Sequence, residues 1–341
     1  MWSYSAPRPA IAWRSPAVLG LLAILSTGLG SFGLWVGGIL EVPARAWWLA
    51  LILWAARSFL VAGVHHRYFS HRTYRFVYLK RISQFVLGFL AQTCAQGGVL
   101  DWGEQHIDHH DETDKQGDPH SPKLGGFWWS HIVWLLVPRP KPKGTLTAFR
   151  IYPELVWLNR WHMLSPVTLA AFCLLYGGMA GLLIGFFLST FVLYNTTWFI
   201  NSFAHLSGSR RYQTPDTSRN CGWLSLFLPG EQWHNNHHRH PGNPRQGERW
   251  YEIDLTHDVF LWPLSLTGWI KLNRQCNSAE RRRQPRRRSG PTFLKQLCTS
   301  STFYNAPIKV SIPASPPTSP ADLLSTKQKR QARNIHARRA Q

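Results

Sequence analysis

The 341-residue chain is poor in cysteine and in charge. Its five cysteines, Cys94, Cys173, Cys221, Cys276 and Cys298, form neither a C-x-x-C pair nor an even framework. A reducing compartment, or no disulfide role at all, fits that usage. Charged residues make up 16% of the chain, well under the usual quarter, so long stretches must be very apolar. Acids are the scarcer sign: 17 Asp+Glu against 38 Lys+Arg leave a formal net charge of +21. Taken alone, that balance and a mean hydropathy of −0.21 would suggest a soluble nucleic-acid binder. The placement of the charge argues otherwise.

Residues 271–341 hold 16 Lys/Arg and two acids, a net of +14, so two-thirds of the excess sits in a tail. Its Arg281-Arg282-Arg283 and Arg286-Arg287-Arg288 runs precede a Ser/Pro/Thr-rich stretch, Ser311 to Pro320. Such composition buries too little apolar surface to offset ordering entropy, so this tail is expected to be disordered. A solvated tail is favoured over one that binds nucleic acid or anionic lipid.

Long apolar runs fill the rest. Pro16 to Leu40 carries no charge and is long enough for the ~30 Å hydrocarbon core. It is too long for a signal peptide and lacks a cleavage-site ending. Ala46 to Val64 is a second run, interrupted only by Arg57, and Leu164 to Asn201 is roughly twice a single span. Tyr176-Gly177-Gly178-Met179-Ala180-Gly181 offers a turn in its middle. Four spans in two hairpins are expected, about 16–40, 46–64, 164–180 and 182–203, within a membrane domain of residues 16–270. Val77 to Leu100 is apolar but carries Lys80, Arg81, Gln84, Gln92 and Gln96. One crossing there would put the flanking His-rich stretches on opposite sides, so an interfacial or re-entrant course is favoured. Bases gather before the first span, after the second and in Arg139 to Arg150. The positive-inside rule then makes the integral membrane protein's termini, including residues 1–15, and its His segments cytoplasmic.

Histidine is abundant, with 16 in the chain, and it is clustered. His65-His66 and His71 follow the second span; His106, His109 and His110 form a second cluster, and His234, His237 and His238 a third. His205 stands at the end of the fourth span, four residues after Asn201. Residues three and four apart share a helix face, so the second and third clusters each present several imidazoles to one side. His66 and His71 are five apart, which does not superpose on a regular helix. Either the helix ends there or the two rings serve different ions. Neutral imidazole suits Fe, Zn, Cu and Ni, and the number of rings exceeds the need of one metal. His65, His120, His131, His162, His240 and His257 are candidates for orienting the ligands or for structural roles.

These ordered motifs resemble the membrane fatty acyl desaturase family, close to its Δ9 acyl-CoA (stearoyl-CoA-type) branch and bacterial relatives. Supporting the resemblance are Ala62-Gly63-Val64, Ser70 to Tyr74, Asp118-Pro119-His120 and Gly126 to His131. Asn201 to His205, Asp216 to Asn220 and Gly230-Glu231 also fit, over residues 16 to 270. The resemblance implies an all-α integral membrane protein, with four transmembrane helices beneath a cytosolic helical cap. It implies a di-iron centre held by His66, His71, His106, His109, His110, His205, His234, His237 and His238, with Asn201 reaching one iron through water. The implied reaction uses O2 to insert a cis double bond into a long-chain acyl group, acyl-CoA first and acyl-lipid second, at Δ9. Electrons would come from an external donor of ferredoxin, rubredoxin or cytochrome b5 type with its reductase, since no C-x4-C-x2-C or haem motif is present. Three departures stand out: Ile107 where Arg is common, Gln232 in place of Gly, and a proline-rich Pro138 to Gly144. Gln232 is expected to add bulk beside the metal cluster.

Unactivated methylenes yield to no side-chain acid or base, so a metal that activates O2 is required. A membrane hydroxylase with similar His clusters is the competing enzyme. A metal transporter would need His along the spans, whereas here they stand at the span ends and in the cap.

Overall fold

The computed structural model describes residues 10–138 and 146–276. The basic tail beyond 276 and most of Pro138 to Gly144 lie outside the described residues.

Helix α1 (Pro16–Val36) starts with Pro at its first position, where the missing N–H costs nothing. It ends short of Leu40, because the Gly37 and Gly38 N–H groups fold back onto Gly33 and Trp35. Helix α2 (Ala44–Leu60) begins behind Pro43 and runs without a break into π-helical Val61–Ser70. The chain continues through β1 (Tyr74–Phe76), α3 (Lys80–Gln92) and α4 (Val99–Glu112). Four short helices follow: α5 (Pro122–Gly125), α6 (Phe127–His131), α7 (Thr147–Arg150) and α8 (Pro153–Arg160).

Helix α9 (Leu164–Ala180) leads through π-helical Gly181–Leu188 into α10 (Ser189–Leu206). Three helical stretches are long and apolar enough to cross a membrane: Pro16–Val36, Ala44–Ser70 and the 43-residue Leu164–Leu206. The third stretch is one apolar run folded on itself within Tyr176 to Gly181, the segment where the sequence offers a turn. Gly178 has φ 61° and ψ −152°, a conformation open to glycine and strained for other residues. Beyond it, a Cβ on Gly185 would stand 3.8 Å from Cys173 Sγ. On a straight helix those residues would be about 18 Å apart.

Helix α3 inverts the usual pattern. Gln84 and Gln92 are buried while Ile82, Val86 and Leu90 are exposed. Its 13 residues reach only about 20 Å, short of the ~30 Å needed to cross. After α4 the cap is completed by α11 (His234–Arg239), α12 (Trp262–Leu266) and β2 (Ile270–Leu272). Strands β1 and β2 pair antiparallel, with Tyr74 opposite Leu272, adding a small sheet to the expected all-α architecture. A core that includes Val64, Phe69, Leu100, Leu146 and Leu158 locks the end of α2 to α4 and α8.

Candidate metal centre

The π-helical segment resolves the spacing of the first cluster. Its i→i+5 bonds include His71 N–H to the His66 carbonyl at 3.1 Å. Residues five apart therefore superpose, and the His66 and His71 rings lie 4.9 Å apart. They belong to one group, not to two ions.

The other clusters divide. On a regular helix, positions i+3 and i+4 lie about 100° apart around the axis. His106 and His110 accordingly join one group and His109 the other; His234 and His238 pair while His237 crosses over. Two sets result: His66, His71, His106, His110 and His237, and His109, His205, His234 and His238. Within each, the ligand nitrogens lie within 4.8 Å of one another.

The spacing fits coordination. Nε2 of His106 is 2.9 Å from that of His71 and 3.0 Å from that of His110. His237 Nε2 is 2.9 Å from His110 Nε2 and 3.0 Å from His66 Nε2. In the second set, His234 Nε2 is 3.1 Å from His205 Nε2 and 3.0 Å from His238 Nε2. Octahedral nitrogens about 2.1 Å from a first-row metal have edges of about 3.0 Å.

Carboxylates fix the tautomers. His66 Nδ1 lies 2.7 Å from Glu231, His109 Nδ1 2.9 Å from Asp118 and His238 Nδ1 3.0 Å from Asp216. Each Nδ1–H donates, leaving Nε2 with a bare lone pair aimed at its group. Bare lone pairs converging at this distance repel unless a cation sits among them, so the donor chemistry fits a metal in each set. Burial, reinforced by neighbouring imidazoles, holds His71, His106, His110, His234 and His237 well below the usual imidazole range. They are neutral imidazoles at pH 7. Burial also opposes charge on His109, but Asp118 outweighs it and the pKa rises. Burial would raise Asp118 and Asp216, yet their His partners hold both well below the carboxylate range.

A family model described as Fatty acid desaturase matches residues 44–269. The chain belongs to the fatty acid desaturase family. The sn-2 palmitoyl-lipid 9-desaturase of Nostoc sp. (strain 36) is 34% identical over 238 residues, 68% of this chain and 81% of that protein. Delta-9 desaturase-like 5 protein of Arabidopsis thaliana is 37% identical over 229 residues, 64% of this chain and 74% of that protein. Delta-9 acyl-lipid desaturase 1 of the same plant is 32% identical over 231 residues, covering 66% and 74%. The paired His groups are consistent with the di-iron centre typical of this family.

In this desaturase the remaining sequence candidates divide as follows. Asn201 lies on α10, one turn before His205. The His120 ring lies 4.2 Å from that of His109, tilted by 36°, and burial pushes its pKa down to about 3. His131 contacts Ser202 and Asn195, His65 the Ala91 carbonyl and His257 its neighbour Asp258. His240 is buried beside Tyr212, and burial lowers the pKa of His162. Gln232 does not crowd the metal groups: its amide donates to the Ile253 carbonyl at 2.7 Å and accepts from Gly230 N–H at 2.9 Å. Ile107 packs against the hydrophobic core of the cap.

Sequence reasoning noticed Asp118, Asp216 and Glu231 within motifs but gave them no task. The signal was available, because metal-bound His usually hands its second nitrogen to a carboxylate. Asp216→Asn is expected to lower iron affinity by about 10–100-fold. Iron retained per protein during chelator titration measures this, and an unchanged titration refutes it.

Proposed function

We propose that this desaturase inserts a cis double bond at the Δ9 position of a long-chain acyl group carried on a membrane lipid. The observation that carries the reading is the pair of His sets, five and four imidazoles, drawn from the ends of two long apolar helices (His66, His71 and His205) and from α4 and α11. The relatives described above whose names state a carrier are acyl-lipid enzymes. The acyl-CoA carrier favoured from the sequence therefore gives way to a lipid-borne chain.

His66, His71, His106, His110 and His237 would hold one iron, and His109, His205, His234 and His238 the other. Asn201 would approach the second through water. When bound and reduced, the irons supply the O2 activation that a methylene requires. The protein supplies position and dryness. Asp118, Asp216 and Glu231 keep the imidazoles oriented, and Trp102 lies against His106 with ring planes 14° apart at 5.2 Å. An acyl chain offers no polar handle along its methylenes, so the depth and bend of the channel that holds it would decide which carbon is presented. Electrons would come from a separate donor protein with its reductase.

The exposed apolar side of α3, with Ile82, Val86 and Leu90, supports a course along the bilayer interface. The distribution of Lys and Arg supports a cytoplasmic placement of both termini and the His sets.

Expression in a host lacking its own desaturase tests the reading. New monounsaturated acyl chains at Δ9, found first in the lipid pool and only later as CoA esters, are the expected result. Hydroxylated chains, or early appearance in the CoA pool, would overturn the reaction or the carrier respectively.

A further inference from the structure

Strands β1 and β2 place Arg75 directly opposite Lys271. Both side chains are exposed, and the Cα atoms of opposed residues lie only about 5 Å apart. Like charges so placed destabilise a sheet. No carboxylate among the described residues pairs with either base, whereas nearby Arg81 is matched by Glu154 at 2.6 Å. Segments 72–82 and 259–275, which include the sheet, carry six bases and no acid. An anion from outside the chain would complete this face.

What adjoins the basic pair is apolar. Side chains alternate along a strand, so the next pair on the same outer face is Val77 and Trp269. Val77 N–H donates to the Trp269 carbonyl at 2.9 Å, and their side chains are 49% and 38% exposed. Tyr78 packs beside Trp269, with ring centroids 6.3 Å apart. Val259, Trp262, Leu266 and Trp269 recur at helical spacing from π-helical Thr256–Leu261 through α12, and all four are exposed. An apolar stripe at this spacing ordinarily faces a core. The other side of the segment already has its core contacts: Leu261 is buried, and the Phe260 ring lies 6.3 Å from that of Phe59, near the end of α2.

The outward stripe therefore stands beside the end of a helix long and apolar enough to cross a membrane. Basic and apolar pairs two residues apart are separated by about 7 Å along the strands. An interfacial element passes from headgroups to acyl chains over ~5–10 Å. Lys and Arg next to Trp and Tyr at the end of a span are the pattern of a bilayer interface.

We propose that the outer face of the β1–β2 sheet binds an anionic phospholipid of the bilayer. Its phosphate lies between Arg75 and Lys271, while Val77, Trp269 and Trp262 enter the acyl layer. The headgroup's net negative charge cancels the repulsion between the two bases, so the lipid holds the sheet closed. β1 begins three residues after His71, and Asn273 donates to the Arg72 and Thr73 carbonyls at 2.8 Å each. The headgroup thereby steadies the end of the segment that carries His66 and His71. This site is independent of the desaturation chemistry.

The test uses the full-length protein in nanodiscs of phosphatidylcholine, with and without phosphatidylglycerol. Amide hydrogen exchange is read by mass spectrometry over residues 74–79 and 266–272. In wild type, phosphatidylglycerol is expected to slow exchange there by a factor of roughly five for each base engaged. In Arg75→Gln/Lys271→Gln, exchange is expected to be the same in both lipids. In phosphatidylcholine it should be no faster than in wild type, because the repulsion is gone. Equal exchange of the wild type in the two lipids would overturn the proposal. So would a slowing that the double variant retains, which would assign the effect to other bases of the chain. Protection that requires an added acidic ferredoxin, and not phosphatidylglycerol, would make this face a protein-docking surface instead. If the double variant fails to accumulate in membranes, each single change decides: a smaller slowing than in wild type supports the site, and an undiminished one overturns it.

Discussion

His106→Ala is expected to abolish desaturation and to strip iron from the protein. His106 Nε2 is a corner of the five-histidine set, within 3.0 Å of both His71 Nε2 and His110 Nε2. Alanine removes that corner and opens a void beside Trp102, which no other imidazole among the described residues fills. Metal affinity and catalysis should therefore fall together, with product below detection and iron per protein clearly below wild type. Elemental analysis of purified protein and acyl profiling of the same cells read both quantities. The result contrasts with Asp216→Asn, where all nine imidazoles remain and only their orientation weakens. Loss of desaturation with the full iron content retained would show that His106 is not a ligand.

Arg67→Met is expected to be the most destabilising single change in the cap. Arg67 is 1% exposed and spends its guanidinium on Glu231 at 2.7 Å, Asp254 at 2.8 Å and three backbone carbonyls. Methionine keeps much of the volume but strands two buried carboxylates. Breaking a buried pair from one side costs about 3–5 kcal/mol, because the remaining charge stays desolvated. Glu231 also orients His66, so iron binding should weaken with it. Thermal unfolding in detergent should show a large drop in midpoint. Adding Glu231→Gln should cost less than the sum of the two single changes, since the residues share one network. A midpoint equal to wild type would refute the assignment.

The chemistry was legible in the sequence because metal-binding residues must be a particular type. Six of the 16 histidines, in two clusters, fall at spacings that a helix face brings together, and the structure assembles them with His66, His71 and His205 into its two His sets. Apolar runs were legible for a similar reason: hydrocarbon tolerates few charges over the length of a span. The carboxylates behind the ligands were visible as motif residues, but their partners were not. Asp216 and His238 meet across 22 positions, and Glu231 and His66 across 165, so only folding pairs them.

Local backbone decided the rest. Two histidines five residues apart read as a mismatch until Val61–Ser70 proved π-helical, a choice of hydrogen-bond register that composition does not announce. Gln232 read as an obstruction until its amide was found turned to Ile253 and Gly230. Arg57 interrupts a span in the sequence, and its hydroxyl acceptors, Ser189 and Thr190, lie 132 and 133 positions away. The sequence by itself determined the residue types, the apolar lengths and the helical spacing, because each is a local property. The tertiary structure alone decided which imidazoles gather in each set, which carboxylates reach His66, His109 and His238, and where a buried charge finds its acceptors. Those are contacts between distant segments, set by packing rather than by neighbours in the chain.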